Sequence, residues 1–265
     1  MQHATPNLAR RYAFKLLANI ASVPVYLLME AILPRALGPQ TYGNYSFATS
    51  VFQQLFGFLD MGTSTCLYNA LSRRQREIGL VAFYLRVTVF VLTVCLLVAL
   101  CVQLPGVGGV LMPGVPLWLA PLAALWAFLT WWGRVLRSVN DAVGATVSSE
   151  MVRTTVSLLA VGLLCLLYAS GWLNIGTLFG QQYLMLGVTA LGYWYVTCRC
   201  WRQNGVDVRF CLVKGEWRAY TREFFDYSHP LLVQALLSFA MLTAERWMLQ
   251  WFDGSVQQGF FALSQ

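Results

Sequence analysis

The residues able to do chemistry in this chain are charges that stand where charges are rare: Asp60, Arg86, Arg153, Glu30, Arg246, Arg35 and Glu245. An ionisable group in an apolar surrounding costs at least ~2.5–3.5 kcal/mol on insertion scales, so each needs a partner or a wet cavity. A carboxylate and a guanidinium so placed can pair or face a coupling ion, and an arginine can clasp an anion with two parallel hydrogen bonds. Asp60 and Arg86 are each 13 residues from position 73, where the 73–79 turn begins, which puts them at similar depth in an antiparallel hairpin. The spacing predicts that they pair, either as a structural salt bridge or as groups lining a cavity.

Other chemistries have no residues to carry them. There is no G-x-x-x-x-G-K-[ST], no H-E-x-x-H and no G-x-S-x-G, so ATP hydrolysis, zinc proteolysis and esterase chemistry have no support. His3 and His229 are too few for a histidine metal site, and Cys198, Cys200 and Cys211 lack zinc spacing. The reading is a non-enzyme with no catalytic residue, no metal and no cofactor.

The elements that hold the charges follow from composition. The chain has 265 residues; 58% are hydrophobic and only 11% charged, less than half the ~25% of soluble domains. Mean hydropathy is +0.58. Disorder and a soluble fold are both excluded by this balance. Charge-free runs at 16–29, 36–59, 87–133, 154–198 and 227–244 measure the spans, since a crossing helix needs about 20 apolar residues. The two long runs each hold two helices, broken by proline and glycine at 104–116 and by glycine at 171–176. The expected spans are 14–34, 44–69, 80–103, 117–138, 151–171, 175–198 and 230–251, with an eighth beginning near Ser255. No small-x-small cleavage site follows the first apolar segment, so it is read as a span and not as a signal peptide.

The formal charge of +7 is a topology signal. Of 18 Lys and Arg residues, 16 fall at one face; only Arg35 and Arg246 lie towards the other. The positive-inside rule then puts the N-terminus in the cytoplasm, and nucleic acid need not be invoked. Trp118, Trp172 and Trp251 are expected in an outer aromatic belt, and Trp131, Trp132 and Trp201 in an inner one. Within 199–229, Lys214, Arg218 and Arg222 recur at i+4 beside a stripe of Trp217, Tyr220 and Phe224. That pattern fits an interfacial helix facing anionic headgroups, or equally a solvated linker helix.

One motif occurs twice. Gly38 and Gly43, with Tyr45 two residues on, match Gly254 and Gly259, with Phe261 two residues on, at an offset of 216 residues. Six spans separate the copies, so both run in the same direction, as in a parallel six-helix repeat. Glycine suits a tight helix–turn–helix hairpin. The segment Leu37-Gly38-Pro39-x-x-Tyr42-Gly43-x-Tyr45, with Leu59-Asp60-Met61-Gly62, resembles the polysaccharide-transport (Wzx-type O-antigen flippase) branch of the multidrug/oligosaccharidyl-lipid/polysaccharide (MOP) exporter superfamily.

The resemblance implies an all-α integral membrane protein: a six-helix transmembrane bundle over 1–198, a cytoplasmic amphipathic linker over 199–229, and the start of a second bundle over 230–265. It also implies a flippase that moves an undecaprenyl-diphosphate-linked glycan across the bacterial inner (plasma) membrane for lipopolysaccharide or other surface polysaccharide. Its partners would be that lipid-linked glycan, membrane lipids and a polysaccharide polymerase. The offset implies a parent chain of about 430 residues, so the sequence reads as an N-terminal fragment or a truncated product.

On that reading Arg86, Arg153 and Asp60 are the cavity residues, the arginines meeting the substrate's diphosphate. The offset relates Glu30 to Arg246, so these two are expected to approach across the pseudo-twofold and close an outer gate, with Arg35 and Glu245 as a second pair. Local pairing along one helix is the alternative. A large anionic substrate predicts a hydrophilic cleft of net positive charge. An acidic cleft would fit a multidrug exporter instead. A membrane enzyme of polysaccharide assembly is a further alternative, although the longest outer loop, 104–116, carries no charge. A structural membrane subunit is the last.

Overall fold

The computed structural model describes residues 8–104, 106–206 and 217–264. Among these every regular element is helical: α1 (Leu8–Leu37), α2 (Pro39–Asp60), α3 (Thr63–Arg73), α4 (Ile78–Cys101), α5 (Val107–Leu111), α6 (Leu119–Ala142), α7 (Thr146–Ala169), α8 (Ile175–Gln203), α9 (Trp217–Ser228), α10 (Leu232–Phe252) and α11 (Gly254–Ser264), with a short 3₁₀ turn at His229–Leu231. Lys15–Leu37, Ile78–Cys101, Leu119–Ala142 and Thr146–Ala169 are long and apolar enough to cross a membrane. They match the first, third, fourth and fifth expected spans. α2, α8 and α10 are 22, 29 and 21 residues long. Their length suffices, but amides and charges such as Gln53, Gln54, Gln181, Glu245 and Arg246 dilute their hydropathy.

The apolar surface points outward. Leu17, Ile20 and Leu27 of α1, and Val89, Phe90 and Leu100 of α4, are each more than half exposed. A water-soluble protein rarely tolerates so continuous an apolar face, whereas a lipid-facing helix requires it. Inside, α6 is the central post. Its small residues Ala120, Ala123, Ala124 and Ala127 are almost fully buried and let neighbouring helices approach closely. α6 packs against α2, α3, α4, α7 and α8, while α1 lies along α7.

The expected span 44–69 is not one helix. It breaks at Met61 and Gly62, whose φ values are 40° and 78°, and restarts as α3. Gly62 adopts this left-handed conformation without strain. Asp60 makes the break useful: its carboxylate accepts from the Ser64 N–H (3.2 Å), Ser64 Oγ (2.7 Å) and Thr63 Oγ1 (3.1 Å) in the first turn of α3. An acceptor there satisfies helix donors that have no partner within the helix. The 104–116 turn likewise differs from expectation, because α5 forms within it.

The helix read as interfacial is docked on protein instead. α9 buries Tyr220 and Phe224 against Phe83 of α4, with ring centroids 5.8 and 5.3 Å apart. Tyr220 donates to Glu77, and Arg74 pairs with Glu77 and Glu223. The hydrogen bond to Glu223 is the largest cause that raises the Arg74 pKa above its ordinary value. The aromatic stripe therefore meets α4 and not the headgroups. Arg218 and Arg222 stay exposed, and Lys214 lies outside the described residues. Trp118, Trp172 and Trp251, expected in a belt, are all exposed. The belt expectation does not fit Trp131 and Trp201, which are buried with their indole N–H groups donating to Asp60 and to the Gln75 carbonyl.

Candidate functional site

α2 and α10 run side by side and enclose an elongated cleft of about 630 Å³. Gly62 and Leu231 lie at one end, and Glu245 and Arg246 at the other. Between them Ser50, Gln53 and Gln54 of α2 face Gln234 and Ser238 of α10. Gln54 bridges the helices: Thr243 Oγ1 donates to its Oε1 (2.7 Å), and its Nε2 donates to the Leu242 carbonyl (3.2 Å). Phe58 and Phe239 meet with centroids 5.4 Å apart. Helical spacing explains the stripe, since 50, 53, 54, 57, 58 and 61 repeat at three and four along one face of α2.

The repeated glycines close the end near Arg246. Gly38 and Gly254 take matching φ values of 77° and 75° and turn α1 into α2 and α10 into α11. Gly43 and Gly259 have a different task, which sequence reasoning missed. A Cβ on Gly43 would overlap the Ser255 carbonyl, and one on Gly259 would lie 2.6 Å from the Pro39 carbonyl oxygen. Pro39 and Ser255 are themselves related by the 216-residue offset. The contact is thus reciprocal, as across a twofold axis: each second glycine receives the first turn of the other hairpin. The repeated spacing held this signal, but it reads equally as turn chemistry alone.

α10 is also fastened there to the segment between α4 and α6. Trp247 Nε1 donates to the Leu111 carbonyl (2.9 Å), and Gln250 Nε2 donates to the Pro113 carbonyl (2.9 Å). The gate candidates lie in this region. Glu30 accepts from Tyr42 OH at 2.8 Å. Arg246 is buried, with its guanidinium carbon 4.8 Å from the Phe261 ring centroid. The second pair is not formed: among the described residues no ion pair joins Arg35 to Glu245, and both are exposed.

The three cavity candidates lie elsewhere, and none lines the cleft. Asp60 and Arg86 do not pair. Besides the α3 donors, Asp60 accepts from Tyr84 OH (3.3 Å) and Trp131 Nε1 (3.2 Å). Tyr84 and Arg86 are two residues apart on α4, about 200° around the helix, so only one of them can face Asp60. Arg86 turns the other way and stacks over Trp217 of α9, 3.5 Å from the ring centroid. Equal depth was satisfied; the facing requirement was not.

Arg153 belongs to a charge cluster among α1, α6 and α7. Glu150, fully buried, accepts from Arg137 Nε (2.8 Å) and Nη2 (2.5 Å), and from Arg153 Nε (2.8 Å). Arg153 Nη2 reaches Asn19 Oδ1 of α1 (2.7 Å), and Lys15 pairs with Asp141 (2.8 Å). Arg153 is therefore spent on structure. Glu150 was not singled out in the sequence; the i,i+3 spacing to Arg153 was the available signal.

The cleft is not positive as expected. Its two ionisable lining residues, Glu245 and Arg246, cancel, and only Glu245 is exposed. Among the described residues no group of His, Cys, Asp and Glu could hold a metal ion. In comparison with known proteins, a family model described as "Polysaccharide biosynthesis protein" matches residues 8–265. No curated protein and no solved structure matches.

Proposed function

Because the chain belongs to the polysaccharide biosynthesis protein family, the family of Wzx-like flippases in the MOP superfamily, we propose that it moves a lipid-linked oligosaccharide across the inner membrane, with the α2–α10 cleft as the path of the glycan. One observation carries this reading. Gln53 and Ser238, well inside α2 and α10, and Gln234 in the first turn of α10 are exposed polar side chains on helices flanked by apolar outward-facing ones. Polar groups at membrane depth face water or protein, not lipid. Amides and hydroxyls are also the groups that exchange hydrogen bonds with sugar hydroxyls.

In this account α2, α8 and α10 join the four apolar helices as spans. The first six-helix bundle then comprises α1, α2 with α3, α4, α6, α7 and α8, and α10 and α11 begin the second. The arginine-rich end is cytoplasmic, as is the N-terminus. The reciprocal glycine contact then lies on the outer side, where it shuts the cleft with Glu30, Tyr42 and Arg246 beside it. The substrate is an undecaprenyl-diphosphate-linked glycan, handed on to a polymerase. The protein carries out no bond chemistry of its own.

Thiol labelling tests the path. In a background with the native cysteines replaced, Gln53→Cys and Gln234→Cys should react with a membrane-impermeant thiol reagent, and added lipid-linked glycan should slow that reaction. Val89→Cys, on the lipid face, should react only with a lipophilic reagent. If positions 53 and 234 behave like position 89, the cleft is not an aqueous path and the reading fails.

A further inference from the structure

The chemistry of the cleft wall also selects among glycans. Resting on the transport reading above, we propose that the α2–α10 cleft is a subsite for an uncharged sugar segment and discriminates against acidic glycans. Ser50, Gln53, Gln234 and Ser238 line it and, among the described residues, their side chains make no hydrogen bond to protein, so their donors and acceptors are open to a ligand. Each amide offers donors and acceptors together, which suits a hydroxyl, itself both donor and acceptor. The Phe58–Phe239 pair adds an apolar face against which a sugar ring can lie.

Charge supplies the discrimination. A carboxylate taken out of water needs a cation or a full set of donors. Among the described residues the one cation in the wall, Arg246, is buried with its guanidinium over the Phe261 ring. The exposed charge among the described lining residues is Glu245, which repels a uronic acid. The arginines expected to bind anions are engaged elsewhere: Arg86 on Trp217, and Arg137 and Arg153 on Glu150. The cavity of about 630 Å³ falls within the usual range of small-ligand sites, ~300–1,000 Å³.

The test uses the full chain in lipid nanodiscs and three probes: undecaprenyl diphosphate alone, the same lipid bearing a neutral hexose trisaccharide, and that trisaccharide with one hexose oxidised to its uronic acid. Binding is measured by native mass spectrometry. The neutral glycolipid should bind at least about tenfold more tightly than the acidic one. Glu245→Gln should tighten the acidic ligand alone and narrow that gap. The double variant Gln53→Leu/Gln234→Leu should weaken the neutral glycolipid about tenfold, as two lost hydrogen bonds require, and leave the bare lipid unchanged. Equal binding of the two glycolipids, or tighter binding of the acidic one, overturns the proposal and leaves transport standing. If neither glycolipid binds better than the bare lipid, the transport reading fails and takes this proposal with it.

Discussion

Replacing Glu150 by alanine should cost about 3–5 kcal/mol of stability, the range for breaking a buried ion pair on one side. In a detergent-solubilised thermal melt this is a drop on the order of 10 °C. Glu150 has no exposed side-chain surface, and Arg137 and Arg153 both point their guanidinium groups at it. Removing the carboxylate leaves two positive charges facing each other with little water to screen them. The damage spreads because Arg153 also holds Asn19, so α1, α6 and α7 meet at this one group. Glu150→Gln should recover part of the loss by keeping the acceptor oxygen. Glu150→Ala combined with Arg137→Met should be milder than Glu150→Ala alone, since the orphaned charge goes with its partner. A melt unchanged by Glu150→Ala would show that the cluster does not hold the three helices together.

Gly43→Val should force the two hairpins apart and abolish transport. The added carbon meets the Ser255 carbonyl, which is backbone and has no rotamer to yield. Overpacking of a well-packed contact costs typically ~1–3 kcal/mol, so the closed arrangement should lose roughly tenfold to a hundredfold in population. Gly259→Val should act the same way through the Pro39 carbonyl. Spin labels at the exposed positions Gln40 and Val256 read the separation directly: both variants should lengthen the distance between them. Gly133→Ala is the control. No heavy atom lies near its added carbon, so it should be neutral or slightly stabilising in its helix. Normal transport by Gly43→Val would mean that the hairpin contact is incidental.

What the sequence disclosed follows from the range of each signal. The positions of the four most apolar helices were legible because they depend on composition along the chain, which a crossing helix requires over its whole length. The hairpin repeat was legible because two glycines at fixed spacing recur beside like aromatics. Contacts between helices were not. Asp60 and Arg86 have the right depth, but the turn at Met61 and Gly62 and the 200° between positions 84 and 86 give Asp60 to Tyr84, Trp131 and α3 instead. Trp131 and Trp201 fall where an interfacial belt would lie, yet both are drawn inward by acceptors on other helices, which periodicity does not reveal. The charge of the cleft was misjudged for the same reason. Counting arginines along the sequence does not show which ones carboxylates such as Glu150 have already claimed.

The central claim is that lipid-linked glycan crosses the membrane through the α2–α10 cleft. The most direct test deletes the gene encoding this chain and measures, by leaflet-selective labelling, where the lipid-linked glycan resides. Glycolipid should accumulate in the inner leaflet, the native chain should clear it, and Gly43→Val should not. If deletion leaves the distribution between leaflets unchanged, the chain is not the flippase and the account is contradicted.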